Sequence, residues 1–215
     1  MPQRTHIKIC GLTREADVDA AVEAGADAIG FVFYERSPRH VDVARGVTLA
    51  RRLPPFVTPV CLLVNAPPSL IEGVLDAVPQ AVLQFHGDET PADCDRARRP
   101  YLRAARMSPD FDLLDFAARY PAAQALLLDA HVQGYGGGGK VFDWSLIPRS
   151  VPRPLVLSGG LHAGNVIEGI LRVRPWAVDV SSGVESAKGI KDAQAIRRFC
   201  EAVREADARI ASTVA

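Results

Sequence analysis

Eight short apolar runs, set apart by helical or turn-forming stretches, constrain this chain more than any other feature. They are THIKIC (5–10), AIGFVF (28–33), VTPVCLLV (57–64), AVLQF (81–85), YLRAARM (101–107), ALLLD (125–129), PLVLS (154–158) and WAVDV (176–180). Runs this short and apolar on both faces predict strands of a parallel sheet covered by helices. A helix is predicted from Thr13, as its cap, to Ala24, where Gly25 stops it. Further helices are predicted over 43–52, 68–77, 91–98, 110–119, 163–173 and 192–204. Only the sixth run lacks a helix directly after it. It leads into GYGGGG (134–139) and a short turn near Trp144. Pro59 removes a ladder donor and so marks the start of the third strand.

Eight such units favour a closed ring, since an open doubly wound sheet is normally built from fewer strands. The expected fold is α/β, a single-domain (β/α)₈ TIM barrel. With 215 residues the chain is short for that fold, which usually takes about 250, so its loops must be lean. The barrel is assigned to residues 1–205, and 206–215 are expected to form a poorly ordered C-terminal tail.

Composition narrows the partners. Hydrophobic residues at 48% and charged residues at 23% exclude a wholly disordered chain. The 25 basic residues balance the 25 acidic ones and fall in small groups, such as Arg96, Arg98 and Arg99, with no basic stripe. No nucleic-acid partner is expected, although a local basic pocket for a small anion is compatible with this pattern. No run approaches the ~18 apolar residues of a membrane span. The opening MPQRTHIKIC lacks a leader-like apolar stretch, so a cytoplasmic location is expected. Cys10, Cys61, Cys94 and Cys200 are widely separated, which suggests neither a disulfide framework nor a zinc site. Barrel and helices account for the apolar residues, so a monomer is expected, with a dimer as the alternative.

In such a barrel the chemistry gathers where strands end. The polar residues falling there are Cys10, Asn65, Gln84, His86, Arg106, Asp129, Ser158 and Ser181. Gly159 and Gly160 follow the seventh strand, and Ser182 and Gly183 the eighth. Glycines let backbone N–H groups approach an anion closely, and loops after strands seven and eight commonly bind phosphate in this fold. The competing reading is two ordinary turns. Cys10 and Asp129 end strands three steps apart round a ring of eight, on either flank of those loops, which suits one base and one acid. Equally, Cys10 reads as a small buried apolar residue and Asp129 as a cap or loop anchor. Arg39, in the loop after the second strand, is either a carboxylate clamp or a surface arginine. Lys8 alternates with Ile7 and Ile9, which turns it toward the barrel interior, where its charge needs a partner. Gly137, Gly138 and Asp179 complete the candidate pocket lining.

KICGLT (8–13), FVFYERSPRHV (31–41), LLVN (62–65), LQFHGDE (83–89), LLLDAH (126–131), GYGGGGKVFDW (134–144), LSGGLHAGNV (157–166) and DVSSGVE (179–185) together resemble the phosphoribosylanthranilate isomerase family. The resemblance runs through nearly the whole chain, in order. It implies a (β/α)₈ barrel that needs neither metal nor organic cofactor, and a small-molecule substrate, N-(5-phospho-β-D-ribosyl)anthranilate, used in tryptophan biosynthesis. It implies that Asp129 protonates the ribose ring oxygen as general acid and that Cys10 removes the C2 proton as general base. It implies that Arg39 holds the anthranilate carboxylate, and that Gly159, Gly160, Ser181, Ser182 and Gly183 cradle phosphate. One departure is Gly138, which stands where the family's glycine loop has threonine. Another is Cys61, at a position where the family has glycine. Other sugar-phosphate barrels fit less well: only His86 among five histidines sits at a strand end, against a metal-dependent epimerase.

Overall fold

The computed structural model describes residues 4–130 and 141–214. Its strands are β1 (His6–Cys10), β2 (Ala28–Val32), β3 (Thr58–Leu63), β4 (Val82–Phe85), β5 (Tyr101–Met107), β6 (Ala125–Ala130), β7 (Leu155–Leu157) and β8 (Ala177–Val180). They pair in chain order, all parallel, and β8 pairs back onto β1 to close the ring. The chain is therefore a (β/α)₈ barrel. Pro59 lies one residue inside β3, opposite Ile29, so the strand begins at Thr58.

Period-two alternation sorts the strand residues into two cores. Leu126 and Leu128 of β6 join the large cluster between sheet and helices. Leu127 belongs to a small separate cluster with Ala104, Ala125, Val156 and Ala177. Ala104, Leu127, Val156 and Ala177 are paired in register across β5 to β8, forming a row inside the barrel. Many lumen positions are small, and the N-terminal mouth opens into a cavity of about 800 Å³ lined by Ala28, Val60, Val82, Ala125 and Val156. Phe56, 96% exposed, and Trp176 stand on that rim. The barrel and its helices thus do not cover every large apolar residue.

Around the barrel lie α1 (Glu15–Glu23), α2 (Val43–Ala50), α3 (Pro68–Ala77), α4 (Pro91–Arg96), α5 (Leu113–Arg119), α6 (Val166–Val173) and α7 (Ala193–Val214). Four of them start on a side chain that accepts a first-turn N–H: Asp42 for α2, Thr90 in a reciprocal box with Asp93 for α4, Asp112 for α5 and Asp192 for α7. The Asp112 cap moves the start of α5 from the expected residue 110 to 113. Thr13 does not cap α1. Its hydroxyl donates to the Gly189 carbonyl at 2.7 Å, and Arg14 occupies the cap position. Trp144–Leu146 forms a single 3₁₀ turn, as the sequence suggests. Among the described residues, no helix is long and apolar enough to cross a membrane.

Two further features depart from the sequence reading. A 3₁₀ turn (Ser182–Val184) and an antiparallel hairpin, β9 (Glu185–Ala187) with β10 (Ile190–Lys191), fill the stretch after β8. The expected tail from residue 206 is instead the second half of α7. Ala206 is fully buried, Ile210 packs on the core, and Asp207 accepts hydrogen bonds from Thr5 N (2.9 Å) and Thr5 Oγ1 (2.7 Å) at the entry to β1. Asp207→Ala strands two buried donors and should lower stability by about 2 kcal/mol. Urea unfolding with an unchanged m-value is the measurement; no shift of midpoint would show that this end of the helix contributes nothing.

Candidate active site

At the C-terminal ends of the strands lies a cavity of about 310 Å³. It gathers Cys10 from β1, Gln84 and His86 from β4 and just beyond it, Asp129 from β6, Ser158–Leu161 after β7, and Asp179–Ser182 from the end of β8. Tyr34, Arg36, Ser37, Pro38 and Arg39 form the wall supplied by the loop after β2.

Cys10 is 4% exposed and seated against β2. A Cβ on Gly30 would lie 2.6 Å from the Cys10 sulfur and 3.0 Å from its Cα, so only glycine makes room for the thiol there. Burial pushes the thiol above its ordinary value of 9.0; the Lys8 ammonium opposes this and Asp179 adds to it. Lys8 itself is buried and donates to Asp179 Oδ1 at 2.8 Å, which supplies the partner an interior charge requires. Burial alone would lower the Lys8 pKa, yet Asp179 and Cys10 hold it above the ordinary lysine value. Lys8 lies beneath the cavity, outside its lining. In the free protein burial favours the neutral thiol of Cys10. Its alkylation by iodoacetamide, mapped by mass spectrometry, should therefore accelerate only above about pH 9, and Lys8→Met should push that rise higher. Fast alkylation of Cys10 at pH 7 would contradict the assignment.

Asp129 is held on both oxygens. Oδ1 accepts from Ala130 N at 2.9 Å, and Oδ2 lies 3.2 Å from His86 Nε2. His86 Nδ1 is in turn 3.0 Å from Gln84 Nε2. Gly159, at φ +78°, packs on this group: a Cβ would sit 2.7 Å from Ala130 N and 3.1 Å from Asp129 Oδ1. Glycine is thus required at 159 by conformation and by space.

The two loops expected to cradle phosphate both reach the cavity, through Ser158, Gly159, Gly160 and Leu161 on one side and Ser181 and Ser182 on the other. Gly183 stands behind them. A Cβ there would fall 1.9 Å from the Leu161 carbonyl oxygen, so Gly183 is where the two loops touch backbone to backbone. The Ser181 hydroxyl is turned inward and donates to Cys10 O at 3.0 Å.

Several expected lining residues serve elsewhere. Asn65, at φ 48°, donates from its N–H to Glu89 and accepts from Asp88 N, which fixes the loop after β4. Arg106 donates to Gly87 O and pairs with Asp88 on the same loop. Strand ends can support a neighbouring loop as readily as a pocket. Gly137 and Gly138 lie outside the described residues. Arg39 does line the cavity, buried to 8% exposure, but its Nε and Nη2 are engaged by Glu185 at 2.7 and 2.8 Å. Glu185 and its second partner, Lys191, have no role in the sequence reading. Glu185 closes the quoted DVSSGVE motif, whereas nothing around Lys191 signals a buried cation. Among the described residues, no group of three His, Cys, Asp or Glu side chains could hold a metal ion.

A (β/α)₈ barrel that gathers a thiol, a carboxyl and two glycine-bearing loops at the C-terminal mouth has the build of an enzyme for a small polar substrate. Residues 7–202 match the family model described as N-(5'-phosphoribosyl)anthranilate (PRA) isomerase. The chain belongs to that family. It is 73% identical over 210 residues to the N-(5'-phosphoribosyl)anthranilate isomerase of Methylibium petroleiphilum, covering 98% of this chain and 99% of the relative. The phosphoribosyl anthranilate isomerase of Thermotoga maritima shares 41% identity with a TM-score of 0.87, covering 94% of this chain and 99% of that one. A phosphoribosyl anthranilate isomerase in complex with reduced 1-(o-carboxyphenylamino)-1-deoxyribulose 5-phosphate shares 38% identity with a TM-score of 0.83, over the same shares of both chains.

Proposed function

We propose that this chain catalyses the Amadori rearrangement of N-(5-phospho-β-D-ribosyl)anthranilate to 1-(2-carboxyphenylamino)-1-deoxy-D-ribulose 5-phosphate, with Asp129 as acid and Cys10 as base. One observation carries the reading: Cys10, Asp129 and both glycine-bearing loops line a single cavity. Asp129 gives its proton to the ribose ring oxygen, and the bond from that oxygen to C1 breaks. The nitrogen lone pair forms a C1=N bond as the C1–O pair leaves with the ring oxygen, giving a Schiff-base cation, which acidifies C2. Cys10 takes the C2 proton, and the resulting enolamine becomes the ketone as C1 gains a proton and the C2 hydroxyl loses one. The cation and the Lys8 ammonium both favour the thiolate that burial alone disfavours. Ser158–Leu161 and Ser181–Ser182 accept the phosphate, and Arg39 meets the carboxylate. Purified protein mixed with freshly generated phosphoribosylanthranilate should abolish the substrate's fluorescence, and dialysis against a chelator should leave the rate unchanged. Absence of a substrate-dependent fluorescence loss would reject the reading.

A multiply charged phosphate ester does not cross a bilayer unaided, which accords with a cytoplasmic location; cell fractionation checks it. For assembly, the N-terminal face carries both a projecting Phe56 and an apolar cavity, a knob and a hole on one surface. Such a face is self-complementary under two-fold symmetry and favours a dimer over the monomer expected from sequence. Light scattering giving a single 23.1 kDa species would restore the monomer.

A further inference from the structure

The β9–β10 hairpin brings Glu185 and Lys191 to the site, although neither takes part in the chemistry proposed above. Together they decide what Arg39 can offer a ligand. Arg39 donates from Nε to Glu185 Oε1 at 2.7 Å and from Nη2 to Oε2 at 2.8 Å. This occupies the Nε–Nη2 edge of the guanidinium, one of the two edges that can grip a carboxylate with parallel hydrogen bonds. The edge carried by Nη1 and the second Nη2 hydrogen remains for the cavity that Arg39 lines.

Lys191 Nζ donates to the same Glu185 Oε1 at 2.8 Å, to the Ser181 carbonyl at 3.0 Å and to the Ser181 hydroxyl at 3.3 Å. The side chains of Arg39, Glu185 and Lys191 are 10%, 6% and 0% exposed. Two cations on one carboxylate leave a net positive charge at the edge of the cavity, where low solvent exposure strengthens its pull on an anion. The hairpin is itself pinned. A Cβ on Gly189 would come within 2.7 Å of the Pro38 carbonyl oxygen, and Thr13 donates to Gly189 O.

We propose that Glu185 is a positioning residue for the isomerisation: it takes one edge of Arg39 so that the other edge faces the substrate's carboxylate. Lys191 ties that orientation to the loop carrying Ser181. The proposal rests on the reading of Arg39 as the carboxylate partner.

The test is a double-mutant cycle of Glu185→Gln and Arg39→Ala. It is read as kcat, KM and the inhibition constants of a carboxyphenylamino sugar phosphate and of inorganic phosphate. Glutamine keeps the shape but cannot accept at both positions. Glu185→Gln should weaken the carboxyphenylamino compound and raise KM by about 10-fold or more, as expected of a misaligned binding group. It should leave kcat within about 3-fold. Inorganic phosphate should hold within about 2-fold, and in the Arg39→Ala background Glu185→Gln should add less than about 2-fold, since nothing remains to be positioned. Equal weakening in both backgrounds, or a parallel loss of inorganic phosphate binding, overturns the proposal. So does tighter binding in Glu185→Gln, which would make Glu185 a competitor of the substrate. Glu185→Gln leaves Lys191 buried without a full counter-charge. If that variant does not fold, Glu185→Gln with Lys191→Met restores the balance and carries the same expectations for KM and the carboxyphenylamino compound, with Lys191→Met alone as the reference, since Lys191 also holds Ser181. An Arg39→Ala variant that binds the carboxyphenylamino compound normally overturns both the role of Arg39 and this proposal, whereas turnover of phosphoribosylanthranilate tests the isomerase reading separately.

Discussion

Asp129→Asn should lower kcat by about 10²–10⁴-fold, the usual worth of a positioned proton donor, and move KM by less than about 3-fold. The structure makes this substitution nearly silent in shape. Asp129 accepts from Ala130 N through one oxygen and faces His86 Nε2 through the other. An asparagine keeps the first contact with its amide oxygen, and its NH₂ can donate to His86 Nε2 once Gln84 turns its amide to accept from Nδ1. What it lacks is a carboxyl proton for the ribose ring oxygen. Steady-state kinetics at saturating substrate, alongside thermal unfolding of the same preparation, separates chemistry from folding. A folded variant retaining kcat within about 10-fold of the parent would remove Asp129 from the acid role.

For Cys10→Ser a loss of similar size is expected, for the opposite reason. Serine fits the seat left by Gly30 without collision, because it is smaller than the residue it replaces. Its hydroxyl does not ionise in the range where a buried thiol can be coaxed to do so, so proton removal from C2 fails. A useful companion is Gly30→Ala. Its methyl group would meet the Cys10 sulfur at 2.6 Å and the backbone at 3.0 Å, displacing the base while leaving it chemically intact. Both variants should retain binding of a product analogue while kcat falls. Near-normal kcat in folded Cys10→Ser would assign the base elsewhere.

The strands of the barrel were legible because each is a short run, apolar on both faces, and the structure moves their ends by only a residue or two. Helix starts were less legible where the cap is an aspartate inside a polar stretch, as at Asp112, or where a plausible cap has a distant partner, as at Thr13. The C-terminal half of α7 was misread because its stability comes from tertiary contacts: Ala206 in the core and Asp207 on Thr5. In the site, Cys10, Asp129, His86 and the two loops were placed by strand-end position alone. Asn65 and Arg106 satisfy that rule and still belong to the loop after β4. The rule identifies the face of the barrel, not the direction of each side chain. Glu185 and Lys191 escaped because β9 and β10 are three and two residues long, too short for any periodicity. Lys191 is a charge whose burial depends on partners at 181 and 185 and on the loop that carries Arg39.

The buried pair of Lys8 and Asp179 sits at the seam where the first and last strands meet, in register and 171 residues apart in sequence. Cys10 precedes, by about 150 residues or more, the two glycine-bearing loops that help to wall its cavity. Until β8 emerges, Lys8 has no counter-ion and Cys10 no roof from Ser181 and Ser182. Closure of so long a span is slow, but its entropic cost grows only with the logarithm of length. The reactive thiol therefore gains its surroundings in the same event that completes the ring. A nascent or truncated chain ending before residue 177 should have no partial activity, because the seam that closes the fold also completes the site.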